Sequence, residues 1–160
     1  MINFCGERVI EGVKIKKLKR IEDERGYLME ILRNDDEIFE GFGQAYVTCV
    51  KLGYAKGWHM HENQSDYFVC IKGNAKVVLC DKRKESKTFN EVNEFFLGEK
   101  NRILLKIPER VMHGFESEEE QEALILNFPT KTYNYENPDK IRAPFDSKEI
   151  PYSWKAKKGG

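Results

Sequence analysis

This sequence has no excess of charge of either sign: 27 basic residues stand against 27 acidic ones in a chain of 160. A balanced chain has no basic stripe with which to neutralise phosphates, which argues against nucleic acid or a charged membrane surface as partner. Nor does it have any run near the ~18 consecutive apolar residues of a membrane-spanning helix. Met1–Arg8 lacks the apolar core of a signal peptide, so the expected location is the cytoplasm. Four cysteines, Cys5, Cys49, Cys70 and Cys80, show no Cys-x-x-Cys or other zinc spacing, and three of them sit in apolar runs. Reduced, buried thiols are the expectation. Histidine is scarce as well, with only three in the chain.

The dominant period of what is present is two. Apolar or β-branched residues alternate, or run short, in Val13–Leu18, Tyr27–Leu32, Ala45–Leu52, Asp66–Ile71, Ala75–Asp81, Phe89–Phe96, Ile103–Ile107 and Ala123–Phe128. Turn-forming stretches at Asp23–Gly26, Asn34–Asp36, Gly53–Gly57, Lys72–Asn74, Asp81–Ser86, Gly98–Asn101 and Ser117–Gln121 separate them. Strands at this spacing without a long helical pattern predict an antiparallel sandwich or barrel. Asp35–Gly41 is expected to make one helical turn at most. Beyond Pro129 the texture changes to aromatics and prolines, predicting a long arm laid over the sheet surface. One domain over residues 1–154 is expected, and the tail 155–160 (KAKKGG), which has nothing to bury, is expected to fray.

All three histidines lie in strand-like settings. His59 and His61 stand in the pattern G-x5-H-x-H-x4-D-x6-G, bounded by Gly53 and Gly73 and including Asp66; His113 stands in IPERVMHGF. Residues two apart on a strand share a face, so His59 and His61 are expected to look into one space that His113 closes. Three imidazoles in one cavity point to proton transfer or to a metal. If a metal is bound, His59, His61, Asp66 and His113 are its ligands; the preferred reading has no cofactor.

The glycine-bounded histidine pattern resembles the first motif of the cupins. A closer resemblance is to the dTDP-4-dehydrorhamnose 3,5-epimerase family. Asp23-Glu24-Arg25-Gly26-Tyr27-Leu28-Met29-Glu30 is similar to that family's D-x-R-G-x-F-x-E. Gln44, Tyr46, Thr48, Gly53, Lys56, Gly57, Trp58, His59 and His61 line up without a gap on its next stretch. Gln64, Asp66, Gly73, Asp81, Arg83, Ser86, Thr88 and Phe89 follow, and Ile107, Pro108, His113, Gly114 and Phe115 complete the likeness. The resemblance implies an all-β, cupin-type (jelly-roll) small β-barrel with a long C-terminal arm, usually a homodimer. It also implies an isomerase acting on a nucleotide-linked 4-keto-6-deoxy sugar, with His59 as the base removing a proton beside the ketone. Arg25 resembles the arginine that contacts the diphosphate, and Lys56 replaces a second one. Glu30, Gln44, Gln64, Asp66 and His113 are the further expected substrate-binding positions.

The chain also departs from the family. The family's lysine near the ketone falls on Asp66, and its catalytic tyrosine falls on Asn127 or Phe128. Tyr133, or Tyr135 beside it, is the expected substitute acid. The aspartate that orients the histidine lies in a segment with no counterpart after Trp154. His61 stands where glutamine is usual, and an H-x-H pair resembles the dTDP-sugar 3,4-ketoisomerases, in which both histidines move protons on one face. Three alternatives therefore stay open beside epimerisation: ketoisomerisation by His59 and His61, a metal-dependent cupin, and a non-catalytic sugar-nucleotide binder. Asp81 and Arg83 are expected to fix a turn.

Overall fold

The computed structural model describes residues 4–118 and 121–160, and with them an all-β jelly roll. The strands in chain order are β1 (Phe4–Cys5), β2 (Lys14–Lys17), β3 (Arg20–Asp23), β4 (Gly26–Met29), β5 (Tyr46–Val50), β6 (Tyr54–Met60) and β7 (Asp66–Lys72). They continue with β8 (Asn74–Asp81), β9 (Val92–Gly98), β10 (Ile103–Ile107), β11 (Val111–Ser117), β12 (Ala123–Asn127), β13 (Ile141–Arg142) and β14 (Lys158–Gly159). One sheet runs β1-β9-β8-β11-β6-β13, with β14 also on β6; a second runs β2-β10-β7-β12-β5; β3 and β4 form a separate hairpin. The expected barrel is thus two facing sheets rather than a closed cylinder. The expected Ser117–Gln121 turn includes residues 119 and 120, which lie outside the described residues, as do residues 1–3. Among the described residues no helix is long and apolar enough to cross a membrane, and Asp35–Gly41 forms turns but no helix.

Period-two alternation builds three layers of apolar packing. Inward positions Val77, Leu79, Phe95, Leu105, Val111 and Ile125 fill the space between the sheets. Tyr67, Val69 and Leu104, one residue out of phase, point to the outer face of the smaller sheet, where Ile38, Met29, Ile31 and Leu32 cover them. Trp58, Val78, Cys80 and Met112 point outward from the larger sheet and are covered by the arm through Ile150, Tyr152 and Trp154. Each large side chain buried this way contributes roughly 1.5–3 kcal/mol. Gly57 and Gly114 face each other under Trp154. A Cβ on Gly57 would lie 2.9 Å from Gly114 Cα, and one on Gly114 would lie 2.7 Å from the Lys56 carbonyl. Glycine at both positions lets the indole settle on bare backbone.

The C-terminal residues differ from expectation. Lys158 and Gly159 bridge Tyr54 and Ala55 in parallel, and the Glu116 carboxylate accepts from the Lys155 and Ala156 amides. The reason is that backbone hydrogen bonds along the open edge of β6, which apolar content does not report, hold residues 155–160 in place. All four cysteines are free thiols, with Cys70 and Cys80 buried but Cys5 exposed.

Candidate functional site

The inner face of the sandwich changes character along its length. On β5, Val50 packs in the core while Thr48 and Tyr46, at the same parity, line a cavity. On β12 the inward set runs Ala123, Ile125, Asn127; on β11 it runs Val111, His113, Phe115; on β7, Phe68 follows Asp66. The apolar end makes the core and the polar end makes the site. Its cavity, of about 270 Å³, is lined by Tyr46, Thr48, Lys56, His59, Phe68, Phe115, Lys140 and Arg142, with the tail reaching it at Gly160.

His59, His61, Asp66 and His113 converge as the spacing predicts, each offering one ligand-capable atom within 4.8 Å of the others. Registry supplies the convergence, because β11 pairs His113 with His59. The His59 and His113 rings meet edge to face at 4.2 Å. His61 lies one residue past the end of β6, where its Nδ1 meets the Asp139 carbonyl. His113 Nδ1 donates to the Val111 carbonyl at 2.9 Å. With both Nδ1 atoms so held, both Nε2 atoms are turned to Asp66 Oδ2, 3.5 Å from His61 and 3.3 Å from His113. Asp66 Oδ1 accepts from Gln64 Nε2 and Asn127 Nδ2. Imidazoles with backbone-anchored Nδ1 atoms, beside a carboxylate, are a donor set that fits a divalent cation.

Electrostatics divides the cluster. Burial, followed by the neighbouring charges of His113, Lys140, His61 and Arg142, holds His59 well below its ordinary value, leaving it neutral near pH 7. Burial alone would raise the Asp66 carboxyl, but His113, His61 and the Asn127 amide outweigh it and lower it. The site therefore presents a neutral imidazole beside an ionised carboxylate.

Other expected positions lie elsewhere. Gln64 is buried and supports Asp66. Gln44 accepts from the Tyr133 amide, and the Tyr133 ring packs on Tyr135 at the surface, so neither tyrosine lines the cavity. The reason is that Pro129–Lys131 carries the chain off the end of β12 before Tyr133 is reached. Arg25, its side chain 84% exposed, pairs with Asp23 on the β3–β4 hairpin, and Glu30 pairs with Arg33. Within one chain neither reaches the cavity: the residues that follow β4 pack on the outer face of β7, whereas the cavity lies on its inner face. His61 is 7% exposed and turned to Asp66 rather than lining the cavity.

Tyr46, Lys140 and Arg142 were not singled out from sequence. β13 brings the last two in by pairing Ile141 with Met60 and Arg142 with His59. The Asp139 carboxylate fixes that return by accepting from the Glu62 and Asn63 amides. A signal was present, in Lys140-x-Arg142 at strand parity, but nothing local said which strand it would join. Three cations, Lys56, Lys140 and Arg142, consequently border the cavity.

Residues 7–158 match the family model described as dTDP-4-dehydrorhamnose 3,5-epimerase. The chain is 40% identical over 146 residues to the spore coat polysaccharide biosynthesis protein SpsL of Bacillus subtilis, covering 91% of this chain and 97% of that one. It is 38% identical over 149 residues to the probable low-salt glycan biosynthesis epimerase Agl13 of Haloferax volcanii, covering 92% and 96%. Among solved structures, a dTDP sugar isomerase from Desulfovibrio desulfuricans G20 superposes with a TM-score of 0.85 at 32% identity, covering 91% of this chain and 92% of that one.

Proposed function

The chain belongs to the dTDP-4-dehydrorhamnose 3,5-epimerase family, and we propose that it epimerises a dTDP-linked 4-keto-6-deoxy sugar destined for a surface polysaccharide or glycan. The observation that carries this reading is the placement of His59 in a cavity bordered by Lys56, Lys140 and Arg142; burial, which lowers its pKa, favours the unprotonated form. A general base must be unprotonated to accept a proton from carbon. A nucleotide diphosphate needs cations, and an enolate oxygen needs a positive or donating neighbour. Lys140 suits the second task, being close enough for its charge to act on His59.

Epimerisation is favoured over 3,4-ketoisomerisation because His61 does not line the cavity. Its two ring nitrogens are turned to the Asp139 carbonyl and to Asp66, so it is not placed to move a second proton on the sugar. The reaction asks for no metal, since base, cations and carboxylate are all side chains.

The reading includes a homodimer in the cytoplasm, where free thiols persist. A two-stranded hairpin is marginal alone, yet β3–β4 joins neither sheet and exposes Ile21, Tyr27 and Leu28 at 53%, 59% and 59%. A second copy would cover that surface. Arg25 and Glu30 would then reach the partner's cavity, which they do not reach in their own chain.

Incubation with dTDP-4-keto-6-deoxyglucose in heavy water tests the reaction. Deuterium wash-in at C3 or C5 with inversion is expected, and His61→Gln should keep inversion within about tenfold. Tight nucleotide-sugar binding with no exchange would mark a non-catalytic binder instead.

A further inference from the structure

An epimerase needs an acid on the face of the sugar opposite its base, and the two positions on which the family's tyrosine falls carry Asn127 and Phe128. We infer that Tyr46, the cross-strand partner of Asn127, is that acid. Resting on the epimerase reading, this assignment names the group that completes it.

Three observations converge on Tyr46. It lines the same cavity as His59, but β5 belongs to the smaller sheet and β6 to the larger, so the two side chains enter from opposite walls. Register places Tyr46 directly across from Asn127. The tyrosine expected on β12 is therefore replaced by one on the adjacent strand at the same level of the cavity.

The third observation fixes the direction of the hydroxyl. Asn127 is fully buried, and its Oδ1 accepts from the Tyr67 amide at 3.1 Å, which settles which end of the side chain is oxygen. Its Nδ2 then donates to Asp66 Oδ1 at 3.1 Å and to the Tyr46 hydroxyl oxygen at 2.9 Å. An amide NH2 has two hydrogens, and both are used. Tyr46 accepts from Asn127, so its own proton is free to be donated elsewhere, and the cavity is the open direction. Burial, then the Asp66 charge, raises the phenol above its ordinary value and keeps it protonated at neutral pH. Asn127 is a positioning residue for this hydroxyl and for Asp66.

The step balances with these groups alone. The C–H bond beside the ketone breaks, its proton goes to the His59 imidazole, and its electron pair forms the enolate. The enolate carbon then takes the Tyr46 hydroxyl proton on the opposite face, forming the inverted C–H bond. Solvent restores the phenol's proton and removes the one on His59.

Tyr46→Phe separates the two halves of the reaction. Without the acid, His59 can still remove the proton, exchange it with solvent and return it to the same face. Deuterium wash-in with retention should therefore persist within about tenfold, while inversion falls 10²-fold or more; Tyr133→Phe should leave both unchanged. Should Tyr46→Phe fold poorly, 3-fluorotyrosine at position 46 keeps the hydroxyl while making it more acidic. It should move the alkaline limb of inversion to lower pH and leave that of exchange in place, a shift that a merely structural role does not produce. Undiminished inversion in Tyr46→Phe, an unmoved limb in the fluorinated enzyme, or loss of inversion in Tyr133→Phe overturns the assignment. Absence of exchange in the wild-type enzyme overturns the proposed function, and this assignment with it.

Discussion

Asp66 and Asp81 are both buried aspartates at strand ends, 1% and 0% exposed, and both fall on family-like positions. Their surroundings differ. Asp81 Oδ1 accepts from the Arg83 amide and Nε, and Oδ2 accepts from Arg83 Nη2, Ser86 and Thr88, all within 3.0 Å. Asp66 has two amide donors on Oδ1, but on Oδ2 it has only two imidazole nitrogens at 3.3 and 3.5 Å. A saturated carboxylate fixes a turn. One that keeps a loosely held oxygen beside three imidazoles and a cavity can respond to charge created there during a reaction. Burial and motif membership alone would have grouped the two together; the count and quality of donors separates them.

Substitution breaks this comparison in two different ways. Asp66→Asn removes the charge that His61 and His113 face, and His113 packs against the base. Turnover by the folded enzyme, measured well below its melting temperature, should fall 10²-fold or more. Asp81→Asn should leave that turnover within about twofold while costing about 3 kcal/mol of stability, because Arg83 loses a buried partner. For a chain of this size that is a drop of roughly 6–12 °C in melting temperature. The opposite assignment, with Asp81→Asn inactive but stable, would contradict the division.

Acidification sharpens the same contrast. Burial tends to raise Asp81, but the hydrogen bonds from Arg83, Ser86 and Thr88 outweigh it and bring it down to about 2 from an ordinary 3.8. A folded value below the unfolded one means stability that is present above pH ~3.8 and lost as pH falls towards 2, worth about 2 kcal/mol. His59, also depressed, begins to cost stability below about pH 6.5, where the unfolded chain takes up the proton first. Denaturant titrations at pH 7, 5 and 3 should show both losses in wild type, and in Asp81→Asn the same higher-pH loss with a smaller one between pH 5 and 3, where the lowered Asp66 still contributes. The smallest expected effect is that of Arg25→Ala. Its KM for the nucleotide sugar should rise about tenfold with an unchanged melting temperature, as expected of an exposed side chain that, in the proposed dimer, meets substrate in the partner's cavity.

The nearness of His59 and His61 was legible in the sequence because spacing along a strand is local, whereas His113 joins them through the β11–β6 register, which pairs it with His59. The turn role of Asp81 and Arg83 was legible because their spacing is local as well. The role of Tyr46 was not legible, because it depends on Asn127, which lies far along the chain and becomes its neighbour only when β5 and β12 pair. Lys140 and Arg142 depended on where the arm returns. The 155–160 tail looked unanchored because parity and hydropathy do not record backbone pairing along an open strand edge.

The central claim is that His59 removes a proton from carbon, and solvent exchange reads that step without requiring a finished product. Proton NMR of dTDP-4-keto-6-deoxyglucose in heavy water, with wild type and His59→Asn at matched nucleotide occupancy, is the direct measurement. Wash-in beside the ketone should fall at least 10²-fold in the variant. Undiminished wash-in in His59→Asn would contradict that role of His59.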